Sequence, residues 1–405
     1  MIADAKPGLR LSRRALGVAA VLLLAFNLRV AVSSVPPVLT DLGLGTVGQS
    51  LLVTVPVLCF GLAALAGPGL RRLVGEEQLL LVLVGALALG LLVRALWPSW
   101  GLFPGTAAAG LAISLMNVLV PAVVRGKFAD HAAAMTAAYT VSLSVGASLA
   151  AGLTVPIRDA TGSLHLALGV WALPAVLALV VWLSQVSHWR LTAAQRTLAQ
   201  GQDGSPKVPM WTSRVAWLVT AFFGGGAIVY YAMVSWLPAI YQAKGDSAAA
   251  AGGLLAVFST VGIIGNLGGP VLASRIRDHR VAVMAGVLAA ATGVVGILAS
   301  PPASALLWVC LAGVGTGASF SLALLFIVER SPNTVTAVRL SAMTQAAGYA
   351  IAVTGLLALG LVRALTGSWT IPLILVLGVL GLELLVGIGA GRRTLLGAAG
   401  PRAAP

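Results

Sequence analysis

The chain has 405 residues, of which 59% are hydrophobic and only 9% are charged, whereas a typical soluble domain has about 25% charged residues. This composition excludes an ordinary soluble globular protein and indicates a multi-pass membrane protein. The net charge of +14 fits a nucleic-acid-binding protein only if the basic residues form a patch, and two cysteines are too few for a disulfide framework.

Twelve apolar runs follow one another along the chain, and each is long enough to cross a bilayer as a helix, which takes about 20 residues. Continuous apolar character without alternation favours helices over barrel strands. The sequence therefore predicts an all-α membrane protein with twelve transmembrane helices. The runs lie at about 15–36, 47–68, 78–97, 102–124, 132–156, 165–187, 213–240, 249–273, 281–300, 304–328, 338–363 and 370–390.

The first run contains Arg29 in its second half, close to Asn27 and Ser33. A guanidinium near the bilayer centre opposes insertion by about 2.5–3.5 kcal/mol, and it remains charged. Either it meets a bound solute, or it reaches the outer headgroups or pairs structurally. Helical spacing places Ser33 and Pro36 on the face of Arg29 and places Asn27 about 200° away. Asn27 is therefore either a site residue or a hydrogen-bond donor to a neighbouring helix.

The fourth and fifth runs carry further polar residues at helical spacing. Asn117 shares a face with Ser114 and Pro121, so it is either a substrate ligand or part of a structural pivot at the proline. Tyr139 shares a face of the fifth helix with Ser142. We expect Tyr139 to line a polar cavity.

The longest predicted cytoplasmic connection, 188–212, contains four glycines or prolines among mixed polar residues. It predicts a flexible linker between a six-helix bundle at 1–187 and a second bundle at 213–405. Short matches recur in the two halves: the Gly-Pro pair at 67–68 returns at 269–270, and the Ala-Met-Thr tripeptide at 134–136 returns at 342–344. These matches indicate a duplicated six-helix unit.

The second half offers four more candidates for a solute site. Tyr231 lies in the seventh run, Asn266 in the eighth, and Gln345 and Tyr349 in the eleventh. Gln345 and Tyr349 are four residues apart and share a helix face. Asn266 stands in a seam of small residues that also predicts close helix packing.

The basic residues give the predicted orientation. If both termini are cytoplasmic, twenty of the 25 Lys and Arg residues fall on the inner side. The outer side holds only Arg94, Arg158, Lys244 and Arg363. The positive-inside rule therefore predicts cytoplasmic termini. Because the charge is a topology signal spread over many loops, we expect no nucleic-acid partner.

Several motifs resemble a known family. Twelve spans in two related halves joined by a cytoplasmic linker resemble the major facilitator superfamily. Within it, the cyanate and 2-nitroimidazole transporter family is similar in Asn-Leu-Arg at 27–29 with the prolines at 36–37, Asn-Val-Leu-Val-Pro at 117–121, Trp-Leu-Pro at 236–238 and Arg-Leu-Ser-Ala-Met at 339–343. The loop after the second run departs from the superfamily pattern, with Arg71 in place of an Asp. The resemblance implies secondary transport of a small solute by alternating access, through a central cavity, by a protein that functions as a monomer.

The residues and the resemblance together predict a transporter of the bacterial inner membrane for a small anionic or planar, electron-rich solute. The alternative is a multidrug exporter of neutral or cationic aromatic compounds, in which Arg29 serves packing. A membrane enzyme or receptor is disfavoured because Walker, HExxH and GxSxG motifs and Cys or His clusters are absent from the sequence. No catalytic residue, cofactor or metal site is predicted. Arg29 would bind the solute, with hydrogen bonds or stacking from Asn27, Ser33, Asn117, Tyr139, Tyr231, Asn266, Gln345 and Tyr349.

The positions of the acidic residues indicate which side chains could carry a proton that drives transport. Of the eleven, only Glu383 lies well within a span; this is the twelfth span, which lies outside the cavity wall in the fold that the chain resembles. The four histidines lie near span ends or loops. Coupling through Glu383, a proton that moves with or against the substrate, and exchange or facilitated diffusion all stay open. We expect a proton carried with, or exchanged against, the substrate.

Overall fold

A computed structural model of the protein describes residues 7–73, 76–97, 100–128, 131–193, 210–276, 278–392 and Leu396. Within these residues the chain forms helices and turns, with no strand. Two short 3-10 helices cover Pro36–Leu42 and Pro302–Ser304. The α-helices are α1 (Pro7–Ser33), α2 (Thr46–Leu73), α3 (Glu76–Leu96), α4 (Leu102–Lys127), α5 (Ala132–Thr161), α6 (Leu164–Gly169), α7 (Ala172–Ala193), α8 (Arg214–Ala243), α9 (Ala248–Arg275), α10 (His279–Ala299), α11 (Ala305–Glu329), α12 (Thr334–Thr366) and α13 (Thr370–Ala390).

Each predicted apolar run coincides with a helix, except that the sixth run is divided between α6 and α7. In the part of the chain that the structure describes, 11 helical segments are long and apolar enough to cross a membrane. α4 has 26 residues, and its described apolar part, Leu102–Asn117, is shorter than a span. The prediction of an all-α membrane protein is confirmed.

Polar caps and left-handed glycines mark several helix ends. Ser213, Ser247 and Asn333 accept hydrogen bonds from backbone N–H groups in the first turns of α8, α9 and α12, as N-cap residues do. α5 and α12 both end before a glycine with positive φ, 62° at Gly162 and 65° at Gly367. These are the two helices that contain the repeated Ala-Met-Thr tripeptide.

Lys244, which follows α8, is bonded to the end of α10. Its ammonium group donates to the carbonyl oxygens of Ile297, Leu298 (3.4 Å) and Ser300 (2.8 Å). The last carbonyl groups of a helix have no partner within the helix, and a cation complements the helix dipole there. This contact therefore joins the end of α8 to the end of α10 and stabilises both.

The predicted linker at 188–212 begins inside a helix, because α7 continues to Ala193. Residues 194–209 lie outside the described part of the chain. α8 starts at Arg214, close to the predicted start of the second half. The division into bundles at 1–187 and 213–405 stays a prediction.

Contacts between Cα atoms group the chain into two compact units, and the first contains α1 and α3–α7. In this unit α1 packs against α4, α5 and α7, and α3 packs against α4 and α7. The indole Nε1 of Trp171 donates to Thr154 Oγ1 at 2.9 Å. The same ring packs against the buried residues Val30 and Ala150, so the turn between α6 and α7 is held to α1 and α5.

The second unit contains the first 3-10 helix, α2 as far as Leu65, and α8–α13. Here α9 lies in close contact with α11. A Cβ atom at Gly265 would collide with the carbonyl oxygen of Val314, and one at Gly317 would collide with that of Gly262. The small-residue seam predicted in the eighth run therefore packs directly on another helix, because only glycine allows the two backbones to approach this closely.

Candidate functional site

The two polar residues at the centre of α1 have different surroundings. Asn27 is 1% exposed, and its Nδ2 donates to the carbonyl oxygens of Leu23 (2.8 Å) and of Pro174 on α7 (3.0 Å). Arg29 is half-buried. The Asn27 amide thus bonds a neighbouring helix, which is one of the two roles that the sequence allows.

α1 ends sooner than helical spacing alone suggests. Its last residue is Ser33, which is buried, and Pro36 begins a 3-10 helix. Pro36 therefore does not continue the helical face of Arg29. The reason is local: proline lacks a backbone N–H and disfavours helical conformation in the residue before it.

Arg94, near the end of α3, is a buried charged residue beside α1 that the sequence analysis did not select. Its side chain is fully buried, with Nη1 donating to Ala31 O at 2.8 Å and Nη2 to Ser34 Oγ at 3.1 Å. The guanidinium therefore holds the last turn of the helix that carries Arg29. An arginine near the end of a span resembles the charged residues of a loop. The sequence signal that could have distinguished Arg94 was its position inside the third apolar run.

Two more predicted residues of the first unit, Asn117 on α4 and Tyr139 on α5, are half-buried. Ser142, on the same face of α5 as Tyr139, donates through Oγ to Leu22 O at 2.7 Å. This face of α5 thus packs on α1, the helix that also carries Arg29. The side chain of Pro121 lies outside the described residues, so both roles of Asn117 stay open.

In the second unit four rings form what we call the aromatic cluster: Phe60 on α2, Phe223 and Tyr231 on α8, and Tyr349 on α12. Ring centroids lie 5.8 Å apart for Phe60 and Tyr231, 5.4 Å for Phe60 and Tyr349, and 6.3 Å for Tyr231 and Tyr349. Phe223 meets Tyr349 edge to face at 5.3 Å and 81°. These separations are those of favourable aromatic pairs. Three helices thus bring the predicted residues Tyr231 and Tyr349 together.

The other two predicted residues of this unit have different neighbours. Gln345 lies one turn before Tyr349 on α12, and its Nε2 donates to a serine hydroxyl at 2.9 Å. Asn266 is half-buried on α9, and its backbone packs against α11 in the glycine seam. The structure therefore brings Tyr231 and Tyr349 together, leaves Gln345 one turn from Tyr349 on the same helix, and places Asn266 in a helix–helix contact.

Phe60 and Phe223 are members of the aromatic cluster that the sequence analysis did not select. A phenylalanine in an apolar run looks the same whether it faces lipid, the core or a solute. The only sequence signal was the position of Phe223 directly before Gly224–Gly226.

In the residues that the structure describes, no group of three His, Cys, Asp or Glu side chains could hold a metal ion.

Comparisons with known proteins agree with this architecture. A sequence model of the Major Facilitator Superfamily matches residues 17–355. The chain is 33% identical to the "Uncharacterized transporter YycB" of Bacillus subtilis (strain 168), covering 92% of both chains. It is 34% identical to the "2-nitroimidazole transporter" of Escherichia coli (strain K12), covering 93% of this chain and 95% of the relative. For the "Cyanate transport protein CynX" of the same organism the identity is 29%, over 86% and 90%. The crystal structure of a D-xylose-proton symporter matches with a TM-score of 0.70 at 12% identity, covering 94% of this chain and 97% of the symporter.

Proposed function

The chain belongs to the Major Facilitator Superfamily and is a membrane transporter rather than an enzyme, and from this premise we propose that it moves a small anionic or planar, electron-rich solute by alternating access. Two relatives are named for 2-nitroimidazole and for cyanate. The first compound is a planar ring and the second is a small anion, so together they outline the proposed substrate class.

The observation that carries this proposal is the aromatic cluster of the second unit. Tyr231 and Tyr349 meet at 6.3 Å, with Phe60 beside both and Phe223 edge-on to Tyr349. Stacked or edge-on aromatic contacts contribute about 0.5–1.5 kcal/mol beyond the area that they bury. The cluster is therefore suited to stacking against a flat solute, and Gln345 on the adjoining turn supplies an amide for a polar substituent.

Within the first unit, taken by itself, the candidate ligand-binding group is a fixed charge, Arg29. Its guanidinium cannot deprotonate, and its planar fork of N–H donors matches small anions and planar acceptors. The helix that carries it is well anchored, because Asn27 bonds α7, Ser142 bonds the preceding turns and Arg94 bonds the last turn. A charged ligand-binding group on a rigid element is what selective binding requires.

We further propose that the protein lies in the bacterial cytoplasmic membrane with both termini in the cytoplasm. It would function as a monomer, and a proton would be carried with the solute or exchanged against it. The orientation is supported by twenty of the 25 basic residues falling on the predicted inner side. Bilayer lipid and a small-molecule solute are the partners that a multi-pass transporter of this family has.

Thermal stabilisation of the purified protein tests the substrate class. Cyanate, nitrate, short carboxylates, 2-nitroimidazole and a set of cationic aromatic compounds are each added to the detergent-solubilised protein. A true ligand at 100 times its dissociation constant raises the free energy of unfolding by about 2.7 kcal/mol. We expect stabilisation by cyanate or 2-nitroimidazole and none by the cationic compounds.

The same measurement on variants tests Arg29. Because a hydrogen bond to a charged group contributes about 1.5–3 kcal/mol, Arg29→Ala should weaken binding by at least about tenfold. Arg29→Lys, which keeps the charge but loses the fork, serves if the alanine variant is unstable. Arg158→Ala, at the end of α5, is the control. Unchanged affinity in a folded Arg29 variant would remove it from the site, and stabilisation by cationic or neutral aromatic compounds alone would favour the exporter alternative.

A further inference from the structure

Glu383 lies in the middle of α13 and is 2% exposed. α13 packs against α8 and α10, with a smaller contact to α12. The side chain points toward α8, where a Cβ atom at Gly225 would lie 3.3 Å from Glu383 Cβ and one at Gly226 would lie 3.2 Å from Oε1. Ser319 of α11 borders the same place, with its Cβ 3.9 Å from the Cβ position of Gly226.

The two glycines of α8 make the space that this carboxyl group occupies, which we call the Gly225–Gly226 notch. Side chains at these positions would meet Glu383 at distances tighter than most Cβ contacts. A run of glycines inside an apolar span is typical of helix flexibility or close helix packing. The structure shows what it packs against: an acidic side chain from the twelfth predicted span.

The carboxyl group has no partner among the described residues. Neither Oε1 nor Oε2 of Glu383 makes a hydrogen bond there, and neither does Ser319 Oγ. Arg330, whose Nε donates to Ala390 O at 3.1 Å at the end of α13, is about 10 Å further along that helix axis. Its Nη1 is bonded to Glu329 at 3.3 Å, so this cation is engaged elsewhere.

The helices around Glu383 supply no other counter-charge in the described structure. The arginines, the histidine and the glutamate of these helices lie toward helix ends. The remaining ionisable residues are tyrosines and one cysteine, which carry no positive charge. None of them forms an ion pair or hydrogen bond with Glu383 in that part of the chain. They are Arg214, Tyr230, Tyr231 and Tyr241 on α8, His279 and Arg280 on α10, Cys310 and Glu329 on α11, and Arg339, Tyr349 and Arg363 on α12.

An ionised carboxylate in this place would be shielded from bulk solvent and would face no cation among the described residues, with only the neutral Ser319 hydroxyl bordering it. Moving such an ion out of water costs far more free energy than moving the neutral acid. In the conformation described here the group is therefore favoured as the neutral acid, whose O–H can turn toward Ser319. To ionise, it needs a conformation that brings water into the notch.

We propose that Glu383 is the residue that binds and releases the transported proton. In the described conformation it carries the proton. When another conformation hydrates the notch, the O–H bond breaks, the proton passes to water, and the carboxylate later takes a proton from water of the opposite compartment. This inference rests on the proposed function, because proton release serves transport only if a proton moves with or against the solute.

Glu383→Gln tests the proposal, since glutamine has the shape of the neutral acid but cannot ionise. Wild-type and variant protein are reconstituted into liposomes with 2-nitroimidazole and, separately, cyanate. We expect the variant to exchange labelled for unlabelled solute at equal pH and to lose the accumulation that an imposed pH gradient drives. Glu329→Gln is the control, because Glu329 is a partly exposed carboxylate paired with His279 at 3.1 Å and should retain that accumulation.

Infrared spectroscopy provides a direct readout. The wild-type protein should show the carbonyl stretch of a buried protonated carboxylic acid, and Glu383→Gln should lack it. Glu383→Asp, which stays ionisable, replaces the glutamine variant if that variant does not fold, and should keep coupling with an altered pH dependence.

The outcomes separate the two proposals. Gradient-driven accumulation in a folded Glu383→Gln variant, or no protonated-acid band in the wild type, overturns the role of Glu383 while leaving transport intact. If the wild type neither binds nor exchanges either solute, the proposed function fails, and the role of Glu383 falls with it.

Discussion

Arg94 Nη1 donates a hydrogen bond to Ala31 O across 2.8 Å, so a buried charge on α3 holds the end of the helix that carries Arg29. Arg94→Lys keeps the charge but cannot also reach Ser34 Oγ with a second N–H of a rigid fork. We expect the free energy of unfolding to fall by about 1.5–3 kcal/mol, the usual contribution of a hydrogen bond to a charged group. Thermal unfolding in detergent measures this change.

Arg158→Lys is the matched control for that substitution. Arg158 also stands near the end of a helix in the first unit, and it pairs with the neighbouring Asp159 at 2.8 Å in a partly exposed position. Exposed ion pairs contribute about 0–1 kcal/mol, so this variant should unfold close to the wild-type temperature. Equal losses in the two variants would show that Arg94 does not anchor α1.

The glycine seam between α9 and α11 predicts opposite effects for two nearby substitutions. Gly265→Ala places a methyl group against the Val314 carbonyl, whereas the new Cβ of Gly268→Ala meets none of the described residues within 4 Å beyond its own helix turn. Overpacking costs about 1–3 kcal/mol, and replacing an open helical glycine by alanine gains about 0.5–1 kcal/mol. Gly265→Ala should therefore lower the unfolding temperature and Gly268→Ala should preserve or raise it. The reverse order would contradict the packing of these helices.

The aromatic cluster predicts how solute affinity responds to changes at Tyr349. Tyr349→Leu removes the ring and should weaken 2-nitroimidazole binding by about two- to twelvefold, which corresponds to 0.5–1.5 kcal/mol of aromatic contact. Tyr349→Phe keeps the ring and should bind close to the wild type. Titration calorimetry or ligand-dependent unfolding gives both affinities.

Trp217→Leu is the control for a ring outside the cluster. Trp217 is exposed near the start of α8, where its ring lies 6.0 Å from that of Trp211. Its removal should leave 2-nitroimidazole affinity unchanged. A loss equal to that of Tyr349→Leu would mean that the effect comes from general destabilisation of the protein.

The sequence predicts the helical architecture well because one physical requirement dominates it. Each span must be apolar for about 20 residues, and helical spacing alone separates Asn27 from Arg29 by about 200°. The bonds of Asn27 to α7 agree with that separation. The end of α1 at Ser33 could also have been predicted from the sequence, since two prolines follow it.

Residues whose role depends on a neighbouring helix could not be found in this way. Arg94 resembles loop charge until the carbonyl oxygen of Ala31 is known to lie beside it, and Phe60 resembles a lipid-facing ring until Tyr231 and Tyr349 are placed. Glu383 was recognised as the acidic residue deepest in a span. Its direction toward Gly225 and Gly226 required the packing of α13 on α8, which no pattern along a single helix can show.

The bonds of Lys244 have a practical consequence for work in living cells. The chain has four lysines, at 6, 127, 207 and 244, and in the proposed orientation only Lys244 faces the outside. Its ammonium group already donates to three carbonyl oxygens. Biotin or dye esters added to intact cells would thus find their one outer amine engaged, so surface tagging of this transporter calls for an introduced thiol, for which exposed Thr161 at the end of α5 is a suitable position.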